Sequence, residues 1–98
     1  MKDATVHIGV LYLEIFIPLS GSLKSKRSVL KSLKDRVRSR FNVSVAEVGA
    51  HDKWQRSVLA FGAVSSDKTH LDRALQGVLS FVQENHEVEL ISHSLEIL

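Results

Sequence analysis

The chain has 98 residues, 44% hydrophobic and 24% charged, the profile of one small globular domain spanning residues 1–98. It has no cysteine, which excludes disulfides and thiolate metal sites, and no apolar run nears the roughly 18 residues that a membrane-spanning helix needs. Its net charge of +2 hides an asymmetry: residues 1–40 carry nine bases and three acids, whereas residues 41–98 carry four and eight. Such a field favours anionic partners.

In chain order, Lys2 precedes an apolar stretch, but Asp3, His7 and Glu14 interrupt it. Val6–Ile17 is β-branched and aromatic, so it reads as a central strand rather than a signal peptide, and the cytoplasm is the expected location. Gly9, Leu11, Leu13, Ile15 and Ile17 share one face, and Ile8, Val10, Tyr12, Glu14 and Phe16 the other. Pro18 ends the strand, Leu19-Ser20-Gly21 turns the chain, and Ser22 is placed to cap a helix.

That helix, Ser22–Phe41, holds eight of the 13 Lys and Arg residues and one acid, Asp35. At about 100° per residue, Val29, Leu30, Leu33, Val37 and Phe41 form a core face. Lys24, Arg27, Lys31, Lys34 and Arg38 fall within about 80° of arc on another side. A face that serves only solubility mixes Glu with Lys at i,i+4, whereas stacked like charges cost stability. The stripe is therefore the expected contact for nucleic-acid phosphates, set against a plain solvated surface. Lys26 points to the apolar side but sits in the first turn, where it can reach around the helix end.

Asn42–Ala50 reads as a second strand, His51-Asp52-Lys53 as a polar tip, and Trp54–Ser65 as a third strand, together a hairpin. Trp54 and Arg56, two apart, are placed for a cation–π contact, and with Asp52 they form a cluster that either stabilises the tip or touches a ligand. Ser66 or Asp67 caps a second helix that runs to about Glu84, with Leu71, Ala74, Leu75, Val78, Leu79 and Val82 as its core face. Gly77 inside it marks a close approach. Glu87–Leu98 alternates as a final strand. The order β-α-β-β-α-β implies two right-handed crossovers, hence a ferredoxin-like α+β sandwich: a four-stranded antiparallel sheet, strands one and three central, both helices on one face.

Ser22-Leu23-Lys24 with Lys26-Arg27, then Arg40-Phe41-Asn42-Val43-Ser44-Val45-Ala46-Glu47, then Trp54-Gln55-Arg56 carry a resemblance that runs from about Val6 to the C-terminus. By these segments the chain resembles the YlxP-like family, small bacterial proteins of unknown function with a ferredoxin-like fold. The family's genes often sit among those for translation factors and ribosome maturation, which implies a link to RNA by association only.

Ser20, Gly21 and Ser22 with Lys24 and Arg27 could hold an anion at the first turn of the helix, against a plain capped helix start. The five histidines lack metal-ligand spacing, so neither metal nor cofactor is expected. An acylphosphatase-like enzyme needs an arginine in the loop before helix one, and Pro18–Ser22 has none. RNA recognition on the sheet needs aromatics on strand three, which offers no stacking platform. The open sheet face, with Val10, Tyr12, Phe16, Val58, Ala60 and Val64, predicts self-association into a homodimer or higher oligomer. Three functions follow, in descending order: a non-catalytic protein that meets RNA or a ribosomal subunit through helix one, a homo-oligomeric regulatory module for a small anionic ligand, and last an acylphosphatase-like phosphate-handling enzyme.

Overall fold

The computed structural model describes residues 2–98. The elements are β1 (His7–Phe16), α1 (Leu23–Arg40), β2 (Ser44–Gly49), β3 (Arg56–Ser65), α2 (Lys68–Gln83) and β4 (Glu89–Ile97). The sheet order is β2-β3-β1-β4 with every neighbour antiparallel. This is the α+β ferredoxin-like arrangement that the element order implied, with β1 and β3 central.

Alternation along β1 sets the two layers. Leu11, Leu13, Ile15 and Ile17 are buried beneath the helices, and Val10, Tyr12, Glu14 and Phe16 on the reverse face are half-buried. The core is completed by Leu59 and Phe61 of β3, Leu30, Leu33 and Val37 of α1, and Leu71, Leu75, Val78, Leu79 and Val82 of α2. Both helices thus bury one stripe at a period of 3.6 residues.

The helix starts are fixed by the chemistry expected of them. The Ser22 Oγ accepts from the Ser25 N–H at 3.0 Å, and Asp67 Oδ1 accepts from the His70 N–H at 3.1 Å. Gly77 marks a close approach, because a Cβ there would lie 2.9 Å from the Phe41 ring. Phe41 in turn meets Phe81 edge-on at 6.0 Å, and the Arg40 guanidinium covers Phe81 at 4.9 Å.

The start of the third strand differs from the sequence reading in a way that matters for the site. β3 begins at Arg56, not Trp54, so Trp54 and Gln55 belong to the connection. There Ala50 turns the chain with a φ of 58°, a left-handed conformation that a residue with a Cβ rarely adopts. The register slips between Glu47 and Gly49, so β2 carries a bulge just before this turn.

Candidate nucleic-acid interface

The basic helix is more engaged with its own protein than its sequence indicates. Asp35 lies between two stripe members, 3.0 Å from Lys31 and 3.7 Å from Arg38, and its carboxyl sits below the usual carboxylate range because Lys31 donates to it and carries the nearest charge. Arg38 also donates to the Val45 carbonyl of the edge strand β2 at 3.2 Å. Off the stripe, Arg36 pairs with Glu87 at 3.6 Å and Arg40 is spent on Phe81. Among the described residues, Lys24, Arg27 and Lys34 make no ion pair. Lys24 and Arg27 are exposed and Lys34 half-buried. The idea that the stripe lacks acidic partners is therefore corrected: one acid serves two of its five bases.

Lys26 takes the apolar side of α1 that the helical wheel gave it. It does not reach around the helix end but stays buried at 1% exposure, with its Nζ inside the β2–β3 connection. Nζ donates to the carbonyls of Ala50 (2.8 Å), Arg56 (3.1 Å) and His51 (3.3 Å), and lies 3.0 Å from Glu47 Oε2. The same Glu47 oxygen accepts from the Ser57 hydroxyl at 2.6 Å. Burial pushes the Glu47 carboxyl up, but the Ser57 hydroxyl bond and the Lys26 bond and charge outweigh it, so the group sits below its ordinary range. Among the described residues no buried side-chain polar atom lacks a partner, which is the condition under which a buried ammonium is tolerated.

A signal for this network was present. Lys26 sits one turn before Leu30 on the buried stripe, Glu47 alternates with Val43 and Val45, and Ser57 alternates with Leu59 and Phe61. Each polar residue occupies a core-face position of its element, and only their juxtaposition was hidden.

Glu47 predicts the acid response. A carboxyl whose folded pKa lies below its unfolded value adds stability that is fully present above about pH 5 and is lost as pH falls through the folded value. Urea midpoints should fall as the pH drops below about 5 in the wild type, and less steeply in Glu47→Gln, which is the weaker protein at neutral pH. Parallel curves for the two proteins would show that Glu47 is not the group being titrated.

The remaining site residues fall together. Ser20, Gly21, Lys53, Trp54, Gln55 and Arg56 line an open cleft of about 500 Å³ between the Pro18–Gly21 turn and the segment before β3. Its two sides are stitched by the Ile17 N–H donating to the Gln55 carbonyl at 2.7 Å and by Gln55 Nε2 donating to the Pro18 carbonyl at 3.0 Å. Ser20 is buried and its Oγ donates to the Ser22 carbonyl at 3.1 Å. The Asp52, Trp54 and Arg56 cluster does not close on itself: Arg56 pairs with Glu14 across the sheet, and Asp52 makes no ion pair among the described residues. Arg56 does not stack on Trp54, because it belongs to β3 and faces the open side of the sheet opposite Phe16. Trp54 is 57% exposed.

On the open sheet face, Val10, Tyr12, Phe16, Val58, Ala60 and Val64 do share one side by register. Glu14 stands among them with its carboxylate held by Arg56 and, at 3.4 Å, by the Ser92 hydroxyl. No group of three or more potential metal ligands exists among the described residues, and no described helix is long and apolar enough to cross a membrane.

Comparison with known proteins gives the chain a family. A family model described as protein of unknown function (DUF503) matches residues 8–95, from within β1 to within β4. Over 82 residues the chain is 44% identical to the uncharacterized protein YlxP of Bacillus subtilis (strain 168), covering 84% of this chain and 89% of that protein. The chain therefore belongs to the YlxP-like, DUF503 family of proteins of unknown function.

Proposed function

We propose that this protein is a non-catalytic RNA-binding protein of the cytoplasm that associates with ribosomal RNA or a ribosomal subunit through α1. The observation that carries the reading is the set Lys24, Arg27 and Lys34, bases on one side of a rigid, docked helix with no acid paired to them among the described residues. Lys31 and Arg38 flank them and can exchange Asp35 for phosphate. The open sheet face is a poor surface for RNA, since Glu14 lies within it and Glu89 and Glu96 share that side on β4. Phosphate binding thus falls to the helix side of the molecule.

The test is Arg27→Glu with Lys34→Glu, substitutions that leave the buried stripe of α1 untouched. Binding through the stripe loses about 0.9 in log–log salt slope for each duplex phosphate contact removed, so the double variant should lower the slope by about 1.8 and weaken co-sedimentation with ribosomal subunits. Unchanged slope and unchanged co-sedimentation would end the proposal.

Self-association belongs to the same reading. Ile8 pairs with Val64, and the Leu98 N–H donates to the Ile8 carbonyl, so Ile8, Val64 and Leu98 form an exposed apolar row across three neighbouring segments. Such a row favours two copies meeting at this end of the sheet. The mass of the protein alone in the same sedimentation runs reads it directly.

A further inference from the structure

We propose that the cleft between the Pro18–Gly21 turn and the Lys53–Arg56 segment takes an unpaired RNA nucleotide, with its base stacked on Trp54 and its phosphate met by Lys53. This rests on the reading of the protein as RNA-binding and adds a second, chemically different contact to it.

Trp54 is the only tryptophan of the chain, and the fold makes little use of it. The residue is 57% exposed, and the aromatic and cation–π contacts among the described residues involve Phe41, Phe81 and Arg40 instead. An indole presented to solvent beside a lysine is the pair of groups that binds single strands without sequence preference: a π face for the base and a cation for the backbone. Lys53 is exposed and makes no ion pair among the described residues, whereas Arg56, the other base of the cleft, is committed to Glu14. The cleft volume of about 500 Å³ lies in the range of small-ligand sites.

The platform is held in place before any ligand arrives. The Gln55 carbonyl and side chain are tied to Ile17 and Pro18, and the Arg56 carbonyl to the Lys26 ammonium, so the residues after Trp54 are anchored on two sides. Pre-organisation of this kind reduces the entropy lost on binding. Opposite it, Gly21 leaves room: a Cβ there would meet no atom within 4 Å, and its backbone is not in the left-handed region. A side chain at this position is therefore accepted by the fold and fills the cleft. Duplex RNA keeps its bases stacked and cannot offer one to Trp54, so the cleft should distinguish single strands from duplexes.

The experiment titrates the protein with octauridine and with a blunt duplex of the same length, reading Trp54 emission and the anisotropy of labelled RNA. Octauridine should quench Trp54 in step with binding. Trp54→Ala and Gly21→Leu should each weaken octauridine binding about tenfold to a hundredfold while leaving duplex affinity and the thermal melt unchanged. Lys53→Ala should lower the salt slope for the single strand by about 0.7. Saturating octauridine without quenching, or unchanged affinity in Trp54→Ala and Gly21→Leu, overturns the cleft as a nucleotide site. So does an equal loss for duplex and single strand. If those results coincide with loss of ribosomal co-sedimentation in Arg27→Glu with Lys34→Glu, the α1 reading stands alone; if no RNA of either form binds, both fall.

Discussion

Lys26→Met should destabilise the protein by about 3–5 kcal/mol, a large share of the roughly 5–15 kcal/mol available to a domain of this size. The substitution keeps the volume and the helix propensity of the side chain but removes the ammonium that pairs with Glu47 Oε2 and donates to the carbonyls of Ala50, His51 and Arg56. Those acceptors cannot all turn to water, because the Glu47 side chain is largely covered. Removing one partner of a buried pair leaves the other uncompensated, which costs more than the pair contributes when intact. Lys26→Arg should fail to rescue, since a planar guanidinium does not present three donors around one point. Adding Glu47→Leu to Lys26→Met should recover part of the loss, because it removes the stranded carboxylate but not the stranded carbonyls. Urea unfolding measures all of these, and a Lys26→Met protein within about 1 kcal/mol of wild type would refute the account.

Gly9→Val should cost about 1–3 kcal/mol or more, although valine is the better strand residue. A Cβ at Gly9 would stand 2.7 Å from Leu75 Cδ1, 3.1 Å from Ile97 Cδ1 and 3.3 Å from Leu71 Cδ2. Leu71 and Leu75 are buried in the core, so their methyl ends must turn against packed neighbours or α2 must shift away from β1. Gly62 is the control. It lies in the adjacent strand on the open face, and a Cβ there meets nothing within 4 Å. Gly62→Val should be neutral or stabilising by up to about 1 kcal/mol. Equal effects at the two positions would show that helix approach does not decide the cost.

These variants also separate support from function. Lys26 bonds to the backbone of the segment that carries Trp54, so its loss should free that segment and lower the emission anisotropy of Trp54 even where the sheet survives. Gly9 lies beneath α2, away from the cleft, so Gly9→Val should lower global stability without that local change.

Much of the architecture was already legible in local pattern. Alternation in β1 separated Leu11, Leu13 and Ile15 from Tyr12, Glu14 and Phe16. The 3.6 period of α1 and α2 marked their buried stripes, Ser22 and Asp67 announced the helix starts, and Gly77 announced the close approach filled by Phe41. Those features depend on residues a few positions apart, where spacing alone sets direction. The engagement of the basic residues depends on distant ones. Lys26 finds Glu47 and the Ala50–Arg56 backbone only when the hairpin folds over the start of α1, and Arg56 finds Glu14 only through the pairing of β1 with β3. The helix that looked uniformly basic is thus divided by its contacts into one buried strut, several tethered cations and the three bases Lys24, Arg27 and Lys34. The sequence by itself determined which elements form and which faces they bury, since that follows from periodicity. Which charges stay available to a partner was decided by the tertiary structure, because long-range contacts consume the rest.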